Sequence, residues 1–76
     1  MKYSVIIFES IHWVLKAEKI LLEKDIKMEI IPTPKEITSQ CGMSIRINPE
    51  ISNMSEIIKI LGNHKMEFEV FEKEMV

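Results

Sequence analysis

The residues of this chain that could do chemistry are few, and they crowd into one segment. Ile31-Pro32-Thr33-Pro34-Lys35-Glu36-Ile37-Thr38-Ser39-Gln40-Cys41-Gly42 holds the only cysteine, two of the three prolines and one of the two glycines. A lone thiol is ordinarily a small buried hydrophobe that plugs a core. Cys41 instead stands among Thr38, Ser39, Gln40 and Gly42, all polar or small, in a stretch that reads as a connection between two apolar runs. That setting favours a thiol that a partner can reach. A nucleophilic thiol must also ionise near neutral pH, which calls for a cation or helix-start amides beside it. Lys35, His12, His64 and the amino end of the first helix are the groups available for this, although carbonyl dipoles at the end of a short turn would act the other way. Gly42 either stops that turn in a left-handed conformation or admits close approach by a partner's backbone.

The elements that must position these residues follow from periodicity. Val5 to Phe8 is a continuous run of β-branched and aromatic residues, the pattern of an interior strand covered on both faces. Ser10 can cap a helix from about Ile11 to Lys24, with Ile11, Val14, Ala17, Leu21 and Leu22 on its apolar side. A second strand, about Lys27 to Ile31, ends at Pro32. Thr33-Pro34-Lys35-Glu36 has the form of a helix start, with Thr33 as cap, Pro34 at the first helical position and Glu36 three after the cap. A short helical turn through Ser39 follows. Met43 to Ile47 alternates as a strand. Ser52 or Asn53 caps a second main helix on which Met54, Ile57, Ile58 and Leu61 share a face, and Gly62 and Asn63 end it. Met66 to Val70 alternates again as the last strand.

This order, βαββαβ, predicts an α+β fold: a two-layer ferredoxin-like sandwich of four antiparallel strands with two helices on one face. Residues 1–76 leave room for a single domain. The topology brings the start of the first helix (Glu9, Ser10, His12), the Pro32–Gly42 loop and the Gly62–Met66 turn with His64 to one rim. Solvated surface positions are the plain alternative for both histidines. Arg46 faces outward and is placed to pair with Glu29 or Glu69, anion binding being the other reading. Ile6 and Phe8 are expected on the polar sheet face, where they would leave apolar surface to be covered.

Several function classes drop out. A net charge of −2, with no lysine and arginine patch, gives no nucleic-acid footprint. Neither a Cys-x-x-Cys pair nor a His/Cys cluster at ligand spacing is present, so no metal site is expected, and no cofactor motif such as a glycine-rich phosphate loop occurs. No apolar run approaches the ~20 residues that span a bilayer, and Met1-Lys2-Tyr3-Ser4 is followed by a run of only four apolar residues before Glu9, too short for a secretory signal. With one cysteine and no intrachain disulfide, the expected setting is the cytoplasm.

Over nearly its whole length the chain resembles a family of small bacterial proteins described as selenium/sulfur carrier-like. The resemblance rests on the opening strand followed by Ser10-x-His12, on Ala17-Glu18-Lys19-x-Leu21, and above all on the segment from Ile31 to Gly42. The family usually has arginine where Lys35 stands, so the charge is kept but the planar fork is lost. Established sulfur-relay carriers place Cys-Pro-x-Pro at a helix start, whereas here the prolines precede the cysteine. The resemblance implies a carrier role for Cys41, with Pro32, Thr33, Pro34 and Gly42 shaping its loop and sulfur or selenium donor and acceptor proteins as partners. On that reading the protein is a covalently loaded shuttle, not a turnover enzyme. The alternative is a non-catalytic interaction or ligand-binding module that forms a homodimer through its sheet and keeps Cys41 as a structural residue.

Overall fold

A computed structural model of the protein describes residues 2–37 and 42–74. The elements run β1 (Lys2–Phe8), α1 (Ile11–Glu23), β2 (Glu29–Pro32), β3 (Met43–Ile47), α2 (Met54–Asn63) and β4 (Phe68–Glu74). The strands form one sheet in the order β2-β3-β1-β4, and every neighbouring pair is antiparallel. This is the expected ferredoxin-like α+β sandwich. Its core lies between the sheet and the two helices, where Ile6 and Phe8 of β1 and Ile45 and Ile47 of β3 meet Val14, Ala17 and Leu21 of α1 and Ile57 and Leu61 of α2.

The placement of Ile6 and Phe8 corrects the sequence reading. Both lie on the helix-covered face, and Val5 and Ile7 occupy the other, because successive side chains of a strand alternate. All four are nonetheless buried. The apolar run did signal a strand covered on both sides, and the cover on the helix-free side is Ile37 from the loop after β2.

Element ends differ from expectation for identifiable reasons. Ser10 is the N-cap of α1, and its carbonyl accepts from Trp13 and Val14 N–H, but its hydroxyl makes no capping bond. In α2, Asn53 caps with its side chain, accepting from Glu56 N–H at 3.3 Å. α2 ends on Gly62 and Asn63 as expected, but neither takes the left-handed conformation. Its C-cap is His64, and Lys65 adopts φ 58 while the amides of Lys65 and Met66 donate to the Gly62 and Leu61 carbonyls. Asp25, at φ 59, closes α1 in the same way, with Ile26 N–H on the Leu21 carbonyl. β2 is shifted to include Pro32, which is tolerated in this edge strand because the ladder donor at this end is the next residue, Thr33, and the proline nitrogen falls at the alternate position, facing the open edge. β4 begins at Phe68 because Met66 is drawn into the core at the close of α2. It then runs on to Glu74 because β1 offers partners as far as Lys2.

Candidate functional site: the loop from Pro32 to Gly42

Among the described residues, the element ends that make up the predicted rim come together. Phe8 lies opposite Phe68 and Pro32 opposite Met43, so β1 and β2 end where β3 and β4 begin. α1 starts and α2 ends at the same edge. There the Glu9 carboxyl is held above its usual range, first by a hydrogen bond to Glu67 and then by that residue's charge. His12 is exposed, with its ring edge-on to Trp13 at a centroid distance of 5.4 Å, and His64 is exposed as the C-cap of α2.

The first part of the loop, residues 33–37, springs from this rim and lies back over the helix-free face. At its base the Thr33 N–H donates to the Gly42 carbonyl at 2.9 Å, extending the β2–β3 ladder past Pro32. The Thr33 hydroxyl is 2.7 Å from that of Ser44, a fully buried residue of β3. The chain then turns, with the Ile37 N–H on the Pro34 carbonyl at 3.0 Å. Ile37, only 7% exposed, packs with Val5 and Ile7, flanked by Tyr3, Ile31 and Phe71. Burying such a side chain stabilises by roughly 1.5–3 kcal/mol. At the far side the Glu36 carboxylate meets the ammonium of Lys73, on β4, at 2.5 Å. Hydrogen bonding to Lys73 is the main reason the Glu36 carboxyl lies below its usual range. From the β2 edge residues 33–37 therefore reach across β3 and β1 to the opposite edge strand.

This arrangement replaces the expected capping box. The Thr33 N–H that Glu36 would have to cap is taken by Gly42, the Thr33 hydroxyl is engaged with Ser44, and Glu36 turns outward to Lys73. Gly42 is not left-handed, and a Cβ built on it meets nothing within 4 Å, so its backbone does not require glycine. Lys35 is exposed and Pro34 half-buried. Cys41 and the expected turn through Ser39 lie outside the described residues. Arg46 pairs with Glu29, one of its two expected partners, and also lies over the Tyr3 ring at 5.6 Å.

Sequence reasoning missed the residues that hold this loop: Glu36 with Lys73, Ile37, and Ser44. A signal existed for Ile37. It is a single apolar side chain in a polar stretch, and the both-sides-covered pattern of Val5 to Phe8 left one face without a cover. Glu36 and Lys73 are too far apart in sequence for any local pattern to join them.

A ferredoxin-like sandwich with its β2–β3 connection strapped across the open sheet face is thus the frame of the molecule. The family model described as "Putative Se/S carrier protein-like" matches residues 2–72, and the chain belongs to that family. No curated protein and no solved structure matches it. Among the described residues no helix is long and apolar enough to cross a membrane, and no group of three or more His, Cys, Asp or Glu side chains could hold a metal ion.

Proposed function

We propose that the protein is a sulfur or selenium carrier loaded at Cys41. The Cys41 thiolate attacks the terminal, sulfane sulfur of a donor protein's persulfide. A new S–S bond forms at Cys41, the donor's S–S bond breaks, and the donor thiolate leaves. An acceptor nucleophile then takes the terminal sulfur, and the Cys41 thiolate is restored. Each transfer moves one sulfane sulfur without an external oxidant or reductant. The selenium version replaces that atom by selenium.

The observation that carries the reading is the anchoring on either side of the thiol. In sequence Cys41 adjoins Gly42, whose carbonyl is fixed by Thr33, and the chain before it is fixed at Glu36 and Ile37. A group-transfer thiol gains from anchored flanks, because they limit the span of chain that must be ordered when a partner docks. Family membership supports the same role. Pro32, Thr33, Pro34 and Gly42 shape the loop on this view, Lys35 supplies a cation, and Ser10, His12 and His64 line the rim that donor and acceptor proteins would approach. The dimeric-module alternative loses ground, since Ile37 occupies the middle of the sheet face through which a second copy would pack.

Mass spectrometry of the protein after incubation with a cysteine desulfurase and cysteine is the test. The expected result is the added mass of one sulfur on the wild type and none on Cys41→Ser. Absence of added mass on the wild type, or equal loading of the serine variant, overturns the proposal. Native alkylation at pH 8 provides a separate check, because a Cys41 that resists the reagent favours the structural-cysteine alternative.

A further inference from the structure

We propose that the end of the sheet opposite the loop carries a second site, one that binds a small amphiphilic anion: a carboxylate or sulfonate on an apolar body. A cleft of about 600 Å³ opens there between the close of α1, the start of β2 and the turn after β3. Small-ligand sites commonly fall in the range of roughly 300–1,000 Å³. Of the large hydrophobic side chains exposed among the described residues, Ile51 at 65% and Leu22 at 60% are the most exposed. Both line this one cleft, together with Met28. Isolated surface hydrophobes need no explanation, but two converging on a concavity form a binding wall.

The polar side of the cleft is set by Arg46. Its guanidinium lies over the Tyr3 ring and is tethered to Glu29 through Nη2, so its plane is fixed. Nη1 and Nε remain available, among the described residues, to a second acceptor, and a guanidinium presents its donors in a fork that fits a carboxylate or sulfonate. Lys27 and Asp25 also line the cleft, and with Glu29 and Arg46 its formal charges balance, so the guanidinium selects an anion through its directed free donors and not through net charge.

The walls are preformed. Ile51 and Ser52 N–H donate to the Asn48 carbonyl, and Glu50 N–H to its side chain. The Ser52 hydroxyl then donates to the Lys27 carbonyl at 3.0 Å, tying the turn after β3 to the approach to β2. A cleft cross-braced in this way loses little freedom when a ligand enters.

The test is a titration of the intact protein with 1-anilinonaphthalene-8-sulfonate, followed by dye fluorescence and by amide shifts in NMR spectra. Saturable binding with Kd on the order of 10–100 μM is expected, with shifts confined to residues 22–29 and 46–52. Arg46→Met should weaken binding about tenfold, as loss of a charge-assisted contact does. The double variant Arg46→Met with Glu29→Gln should stay equally weak, which removes repulsion from an unpaired Glu29 as the cause. Leu22→Ser, at an exposed position that the fold does not need, should also weaken it. The proposal is overturned if no saturable binding occurs, if Arg46→Met binds like the wild type, or if the shifts lie elsewhere. It is also overturned if Leu22→Ser converts a dimer into a monomer, since a second copy would then be the occupant. None of these readouts depends on Cys41, so they stand apart from the carrier proposal.

Discussion

Glu36 Oε1 lies 2.5 Å from Lys73 Nζ, and this contact joins the loop that begins at one edge strand to the strand at the opposite edge. Because Lys73 holds the Glu36 carboxyl below its ordinary range, the folded state binds the proton less readily than the unfolded chain. Stability from the pair is therefore present above the ordinary glutamate range and is lost as pH falls through the depressed folded value. Wild type and Glu36→Gln should differ near neutral pH and converge in acid. Exchange of the Ile37 amide, bonded to the Pro34 carbonyl, is the measurement; it should be faster in Glu36→Gln and in Lys73→Met at pH 7 only. Equal exchange rates at pH 7 would show that the pair does not hold the loop.

Ile37 is the apolar half of the same fastening. Truncation to alanine removes most of the side chain that covers Val5 and Ile7, so Ile37→Ala should cost about 2–4 kcal/mol in urea unfolding. Ile37→Asp should go further, because a carboxylate cannot be buried there without a partner and the loop would have to lift. Binding of a hydrophobic dye to native Ile37→Asp, with shifts at Tyr3, Val5 and Phe71, would report the uncovered face.

What the sequence made legible follows the range of the interactions. Alternation placed Met43 to Ile47 correctly, helical spacing placed Ile57 and Leu61 in the core, and the order of elements gave the sheet and its rim. Arg46 with Glu29 was readable because strand pairing sets them opposite each other. The strap was not. A Thr-Pro-x-Glu pattern carries a local signal for a helix start, and here tertiary contacts to Ser44, Gly42 and Lys73 outbid it. The face of Ile6 was misread for a different reason: four apolar residues in a row give no phase, so only a pairing register could tell Ile6 from Val5.

The two helix ends carry removable strain. Asp25 and Lys65 sit at φ 59 and 58, a region that costs most side chains about 1 kcal/mol or more. Lys65→Gly should raise stability by about 1 kcal/mol. Asp25→Gly should gain less, because aspartate is better tolerated there. Chemical denaturation of the two variants checks the order, and a loss of stability in Lys65→Gly would contradict the account of how α2 ends.

Gly42 separates folding from function. Its φ is not left-handed and the space around its missing Cβ is open, so Gly42→Ala should leave the unfolding free energy within about 0.5 kcal/mol of wild type. Since nothing among the described residues requires a hydrogen side chain, a requirement seen in transfer assays would point to a backbone or side chain brought in by another protein. If donor and acceptor approach the thiol across this position, the added methyl group stands between them and Cys41. Loading from a desulfurase should then slow about tenfold or more, as small displacements of reacting groups do, while alkylation of Cys41 by a small reagent keeps its rate. Loading at the wild-type rate would show that the partner does not approach the thiol across Gly42.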